Sequence, residues 1–294
     1  MDLNYLQEKY NIHDGYLLAE EVTKDYAKSF HFASKYLPKE QRQDTFNIYA
    51  FCRLTDNFAD DTDSWPLEKR LELIQKWENK VRQCFKEKTS DNLILKVAFD
   101  TAKKYQIPER FFLELIEGVK SDLTKTSFQT YAELERYCYL VGAIPGLMVT
   151  YILGFTDIKA LDHAISMGKA MQITNILRDI KEDLHRNRIY LPHEDLQAFG
   201  YSQTDLKNHL VNENFKNLIK SYIEKANQMY EYAYLGLRYL SKEGKFCAKM
   251  CGLLYSEILV KIEKQNYDVF SKRASTSMFN KLTLVLKTMM NSQN

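Results

Sequence analysis

The sequence predicts an all-α fold in a single domain, and three observations carry that expectation. Glycine and proline are scarce, 10 and 5 in 294 residues, which disfavours a turn-rich all-β chain. Apolar residues recur at three- and four-residue intervals along nearly the whole length, the period of helices with one face on a core. Pro38, Pro66, Pro108 and Pro192 punctuate the edges of these segments, and only Pro145 lies inside an apolar run. No Ser/Gly-rich linker, charge block or internal repeat divides the chain, so residues 1–294 read as one domain. Hydrophobic residues make up 45% of it, enough for a sizeable core.

The elements follow in order. Residues 14–37 make the first long segment, which Pro38 ends. Residues 39–61 make a second helix, and Pro66 opens a third. Ser90 stands as the N-cap of the helix in "SDNLILKVAFDTAKKY". Pro108 opens "PERFFLELIEGVKSDL", where its missing amide costs no hydrogen bond. Residues 131–154, "YAELERYCYLVGAIPGLMVTYILG", are more apolar than a surface helix. Pro145 must break a backbone bond there and bend the helix, while Gly142 and Gly146 allow close approach by a neighbour or a ligand. A long helix covers 158–187, a loop lies near 188–202, and two more long helices cover 214–240 and 246–270. The segment "FNKLTLVLKTMM" at 279–290 is short and amphipathic; it reads as a packing helix, with peripheral membrane contact as the alternative.

Composition excludes several classes. Net charge is +2 with dispersed basic residues, unlike the clustered Lys and Arg of a nucleic-acid-binding surface. Five cysteines at irregular spacing lack the partners of a zinc site, so they read as free, mostly buried thiols. The first 18 residues are acidic and mixed, unlike a signal peptide, and no apolar stretch reaches the length of a membrane span. A soluble, cytoplasmic protein is expected. A glycine-rich phosphate loop, a serine nucleophile elbow and paired histidines are absent. His185 and His193 read as loop surface residues.

Chemistry enters through two acidic stripes. In "NILRDIKEDLHRNRIYLP", Asn175, Asp179 and Asp183 fall at four-residue spacing, so an amide and two carboxylates project from one helical face about 6 Å apart per step. In "NIYAFCRLTDNFADD", Tyr49, Arg53, Asp56 and Asp60 make a second stripe. Each follows a strongly apolar turn, which places it near the core edge of its helix. Four carboxylates in a semi-buried cleft are prohibitive without compensation, and divalent cations supply it. Mg²⁺ prefers oxygen ligands and is commonly held by one or two carboxylates plus substrate phosphates. Two stripes facing across a helical cavity would hold several such ions and, through them, diphosphates. Arg53, Arg178, Arg186 and Arg188 stand close by in sequence, and guanidinium forks suit phosphate oxygens.

At these residues the chain resembles the squalene/phytoene synthase family of head-to-head prenyltransferases, in consistent order over nearly its whole length. The resemblance rests on "AKSFHFASKYLP" (27–38), "IYAFCRLTDNFADD", "YCYLVGAIPGLM" and "MQITNILRDIKEDLHRNRIYLP". It implies an isoprenoid-synthase-type helical bundle enclosing a central cavity. It further implies Mg²⁺-dependent condensation of two allylic diphosphates, with Mn²⁺ as an alternative metal. Asp56, Asp60, Asn175, Asp179 and Asp183 are the implied metal ligands, with Gln172 beside them. Ser29, Arg53, Arg178 and Arg188 would contact diphosphate, and Tyr49, Tyr137, Tyr190 and Tyr255 would line the reaction end of the cavity. Asp61 and Asp63 extend the first motif without needing to touch metal. One departure stands out: after Tyr-Cys-Tyr the family commonly reads Ala-Gly-x-Val-Gly, whereas here it is "GAIPG", with Pro145 in the Val place and Gly146 kept.

The implied chemistry passes through a cyclopropylcarbinyl diphosphate and a second ionisation. Proton loss then gives phytoene or dehydrosqualene, and hydride from NADPH gives squalene. Ser34 lies one turn beyond Phe30 on the same face, and so small a residue leaves room for a longer tail. The residues therefore lean to two geranylgeranyl diphosphates giving phytoene. Two farnesyl diphosphates giving presqualene diphosphate, squalene or dehydrosqualene stay open, as does use of NADPH. A non-catalytic relative acting in binding or assembly is the remote alternative, since such a protein could lose its carboxylates freely. No protein partner is evident beyond prenyl diphosphate substrates.

Overall fold

The computed structural model describes residues 3–60 and 65–275. Helices follow one another throughout: α1 Tyr5–Tyr10, α2 Gly15–Tyr26, α3 Lys28–Ser34, α4 Lys39–Asp60, α5 Leu67–Glu87, α6 Leu93–Tyr105 and α7 Glu109–Thr124. Then come α8 Tyr131–Cys138, α9 Ile144–Leu153, α10 Ala160–His185, α11 His193–Ala198, α12 Gln203–Lys207, α13 Glu213–Leu235 and α14 Lys242–Lys264. Among the described residues the only β pairing is two isolated bridges, Ser127 with Ile189 and Phe155 with Leu240. The all-α expectation holds.

Packing gathers the chain into two compact units. The first holds the chain up to Thr124 with Ile144–Leu161 and Tyr239–Cys247; the second holds Lys125–Ala143, Asp162–Arg238 and the chain from Ala248.

The first unit is built around α4, against which α2, α3, α5, α6, α7 and α9 pack. Its core is aromatic. Trp77 is fully buried, with Phe51 and Phe58 at ring-centroid distances of 5.6 and 6.0 Å. Its indole Nε1 donates to Thr55 Oγ1 at 2.9 Å. Burying each such ring stabilises the fold by roughly 1.5–3 kcal/mol, and the hydrogen bond leaves no polar cost behind. Buried Asp44, near the start of α4, accepts from Lys104 Nζ at 2.5 Å and Tyr105 Oη at 2.8 Å on α6, which fixes the register of α4.

The second unit has its own continuous core, in which Phe215, Leu218, Ile219, Tyr222 and Ala226 of α13 meet Ala170, Ile173 and Leu177 of α10. Gly142 and Gly168 let two backbones touch. A Cβ on Gly168 would lie 2.4 Å from Ala143 Cα, and one on Gly142 would lie 2.6 Å from the Gly168 carbonyl oxygen. The close approach expected of Gly142 is thus a helix crossing.

Several boundaries differ from expectation. Residues 14–37 divide at Ala27, whose backbone leaves the helical region (φ −127°, ψ 55°). The cap of α6 is Asn92, whose side chain accepts from Leu95 N at 2.9 Å; Ser90 Oγ instead accepts from Asn92 N at 3.1 Å. The stretch taken as a loop carries α11, which Pro192 precedes. Before Pro145 the backbone winds as a π turn, Tyr139–Ala143. Proline has no amide for the carbonyl four residues back, and the wider turn absorbs the mismatch.

The expectation of no span-length apolar stretch is corrected too. Tyr131–Leu153 runs as 23 helical residues whose most apolar 18-residue window has mean hydropathy 1.3, long and apolar enough by composition alone. Its most apolar window is 56% buried within the protein, as in a core helix. All five cysteines are free, and Cys52, Cys84, Cys138 and Cys247 are buried. Residues 279–290 lie outside the described residues.

Candidate active site

Beyond its first turn, α4 is buried except along the first stripe. From Asp44 to Asp60 every residue of α4 is buried except four, Tyr49, Arg53, Asp56 and Asp60, each half-exposed. Steps of four, three and four keep them on one face. Mostly apolar residues at the other positions, with buried Thr45, Asn47, Thr55 and Asn57 among them, bury the helix around them. The sequence thereby forces two carboxylates and a guanidinium into a narrow, partly dry strip.

Arg53 is held by this strip. One terminal nitrogen lies 3.6 Å from Asp60 Oδ2, and the guanidinium carbon lies 4.5 Å from the centroid of the Tyr26 ring. Burial works against its charge, but Asp56 and then Asp60 outweigh it and raise its pKa. Its Nε is buried and has no hydrogen-bond partner. Behind the strip, burial and then the Asp56 charge push the Cys52 thiol up, so it stays neutral. Phe30 of α3 packs on Tyr49, ring centroids 5.8 Å apart. Ser34 is fully buried, and its hydroxyl donates to the Phe30 carbonyl at 2.7 Å. Ser29 lies half-buried on α3. Gly146 sits on α9, where its carbonyl accepts from Thr150 Oγ1 at 2.8 Å. Asp61 and Asp63 lie outside the described residues.

The second stripe repeats the pattern in the second unit. On α10, Ile173, Thr174, Ile176, Leu177 and Ile180 are buried, whereas Gln172, Asn175, Arg178, Asp179 and Asp183 are half-exposed. Asp179 is gripped twice. Arg178 donates from Nε at 2.8 Å and from a terminal nitrogen at 2.5 Å, one to each carboxylate oxygen. Arg273 adds Nε at 2.8 Å and a terminal nitrogen at 2.7 Å, both to Oδ1. Burial again opposes the Arg178 charge, and the Asp179 hydrogen bond overcomes it, so its pKa rises. Tyr255 stands near: burial raises its phenol pKa, against the pull of the Arg178 charge.

Further along, Asp183, Arg188 and Tyr190 share the lining of a small cavity of about 10 Å³. The Asp183 carbonyl accepts from Arg188 N at 2.8 Å. Tyr190 stacks on Tyr137, centroids 5.1 Å apart and hydroxyls at 3.4 Å, and Phe128 packs on both. His185 and His193 are exposed, as expected of surface residues.

Among the described residues, no three His, Cys, Asp or Glu side chains converge on one metal position. A closed cage is therefore not built, but the donor set suits a cation held openly. Asn175 Oδ1 is buried with no hydrogen-bond partner, its Nδ2 donating to Gln172 Oε1 at 3.5 Å, and Glu182 Oε2 is likewise buried and unpartnered. Orphaned oxygens beside a carboxylate are what a hard divalent ion satisfies.

Sequence reasoning missed two contributors. Tyr26 precedes the break at Ala27, and nothing in its local pattern points to Arg53. Arg273 follows the last described helix, where no periodicity assigns a face.

These features define a helical protein with acidic, arginine-flanked strips on two partly buried helices. The squalene/phytoene synthase family model matches residues 23–280, and the chain belongs to that family. A 15-cis-phytoene synthase of Synechococcus elongatus is 32% identical over 284 residues, covering 92% of this chain and 91% of that protein. Another from Synechocystis sp. is 33% identical, covering 90% and 81%. Among solved structures, a dehydrosqualene synthase in complex with ligand matches at TM-score 0.88 and 25% identity, covering 98% and 99% of the two chains. A squalene synthase from Alicyclobacillus acidocaldarius matches at TM-score 0.79 and 23% identity, covering 86% and 95%, a likeness of fold.

Proposed function

We propose that this chain is a prenyltransferase that condenses two geranylgeranyl diphosphates head to head into phytoene. The observation that carries the proposal is the pair of half-exposed acidic strips on α4 and α10, each flanked by buried residues of its own helix. They stand in a chain whose cyanobacterial relatives bear the name phytoene synthase. The family model runs through both compact units, which supports treating residues 1–294 as one squalene/phytoene synthase-like domain.

Magnesium would be held by Asp56 and Asp60 on the first strip and by Asn175, Asp179 and Asp183 on the second, with Mn²⁺ as a substitute. When bound it supplies Lewis-acid neutralisation of the leaving diphosphate. The protein's own share begins with Arg53, Arg178, Arg188 and Ser29, which bind and orient diphosphate oxygens. As the allylic C–O bond breaks, the carbocation needs aromatic faces and exclusion of water. Tyr137, Tyr190 and Phe128 offer such faces in one unit, and Tyr49 with Phe30 in the other. Attack by the second substrate's double bond leaves a tertiary cation, and loss of a proton from it closes the ring of the cyclopropylcarbinyl diphosphate. A second ionisation, rearrangement and proton loss complete phytoene without NADPH.

Ser34 supports the C20 preference, since its hydroxyl is already engaged by the Phe30 carbonyl and its side chain adds little bulk. The likeness to a dehydrosqualene synthase favours a second reading, two farnesyl diphosphates. One incubation with both prenyl diphosphates, with and without NADPH, separates them by mass analysis of the hydrocarbon. A C40 hydrocarbon whose yield ignores NADPH is the expected product; C30 hydrocarbon alone would overturn the chain-length proposal. Peripheral membrane contact through residues 279–290 suits so apolar a product and is part of the same proposal.

A further inference from the structure

Arg53 shares its aromatic partner with a second cation. Lys9 Nζ lies 5.2 Å from the centroid of the Tyr26 ring that Arg53 covers at 4.5 Å, and it donates to the Tyr26 hydroxyl at 2.7 Å. Lys9 also lies over Tyr10 at 5.6 Å, and the Tyr10 hydroxyl donates to Asp25 Oδ2 at 2.8 Å. These contacts fasten α1 onto the end of α2 beside the first strip.

The charges around that ring are unbalanced. Among the described residues no carboxylate pairs with Lys9, whereas Lys24 on the same surface is paired with Glu21 at 3.1 Å. Arg53 keeps a buried Nε–H without a partner. Two cations on one ring repel, and each ring contact offsets only part of that repulsion. An unneutralised ammonium beside an orphaned guanidinium N–H matches a multiply charged anion such as a diphosphate. Lys9 and Tyr10 lie on α1, ahead of residue 23, where the family match begins.

We infer that α1 completes the diphosphate subsite of the first strip. Tyr26 is a positioning residue that holds the Arg53 guanidinium in place, and Lys9, anchored on the Tyr26 hydroxyl, adds a further positive charge toward the substrate's diphosphate. The inference rests on the diphosphate reading of that strip.

The test compares wild type with Lys9→Gln, Tyr26→Phe, Tyr26→Leu and the control Lys24→Gln, which removes a surface charge already paired. Calorimetric titration with magnesium pyrophosphate is read beside KM and kcat for geranylgeranyl diphosphate. Lys9→Gln and Tyr26→Phe should weaken pyrophosphate binding and raise KM by about threefold or more, with a smaller change in kcat. Tyr26→Leu, which removes the ring itself, should also lower kcat by about tenfold through the loosened Arg53. Raising salt from about 50 mM to about 0.5 M should erase the difference between Lys9→Gln and wild type, because an exposed charge is screened. If Lys9→Gln and Tyr26→Phe match wild type while wild type binds and turns over, this inference falls and the function stands. Equal weakening by Lys24→Gln would also overturn it, since bulk charge would then be the cause. A wild type that neither binds magnesium pyrophosphate nor converts a prenyl diphosphate removes the diphosphate reading itself.

Discussion

Asp179 carries two guanidiniums on one carboxylate, while Asn175 beside it has an orphaned buried oxygen. A surface aspartate would gain little from a second arginine; at a half-buried one the attraction is less screened by solvent. On the first strip the ratio is reversed, with Asp56 and Asp60 both acting on the single Arg53 guanidinium. These residues were legible in the sequence because a stripe at steps of three and four projects onto one face whatever the tertiary contacts. Tyr26 and Arg273 were not, because each reaches the strip from another segment, through a contact without local periodicity. If the carboxylates hold metal for catalysis, Asp56→Asn and Asp179→Asn should each lower turnover by at least about a hundredfold. Their far-UV circular dichroism should match wild type. Turnover within a few-fold of wild type in either variant would contradict the assignment.

At the scale of helices, periodicity located the long elements; the errors fell at their ends and at short helices such as α1 and α11. Nothing in the residues around Ala27 breaks a helix; the division there accompanies the packing of α2 and α3 on α4. Ser90 and Asn92 are both good caps by type, and only the fold shows which oxygen meets the helix amide. Asn92→Ala should cost about 1 kcal/mol by urea unfolding and Ser90→Ala less; the reverse order would contradict the observed cap. The contact of Gly142 with Gly168 has a sharper consequence. A methyl on Gly168 meets backbone at 2.4 Å, where no side chain can swing aside. Gly168→Ala should therefore destabilise by about 1–3 kcal/mol, and an unchanged urea midpoint would show that the crossing is loose.

For the molecule as a whole, the aromatic cores and the charges around them set how it answers to its surroundings. The hydrogen bond from Lys120 lowers Glu78 below its ordinary 4.5, and that from Lys80 lowers Asp91 below 3.8. A depressed carboxylate stabilises the fold above its unfolded pKa and loses that contribution as pH falls through the folded one. The urea midpoint should therefore drop below about pH 4.5, and Glu78→Gln should shrink the drop; an equal drop in the variant contradicts this origin. Fold class was readable from scarce glycine and continuous helical period. Its grouping into two compact units was not, because the first draws on segments more than a hundred residues apart. The proposed function requires that the acidic strips bind diphosphate through magnesium. The most direct measurement is the yield of C40 hydrocarbon from geranylgeranyl diphosphate as Mg²⁺ is titrated into metal-stripped protein. Yield should be negligible without metal, rise to saturation with Mg²⁺, and vanish again on chelation. Undiminished yield in excess chelator would contradict the account.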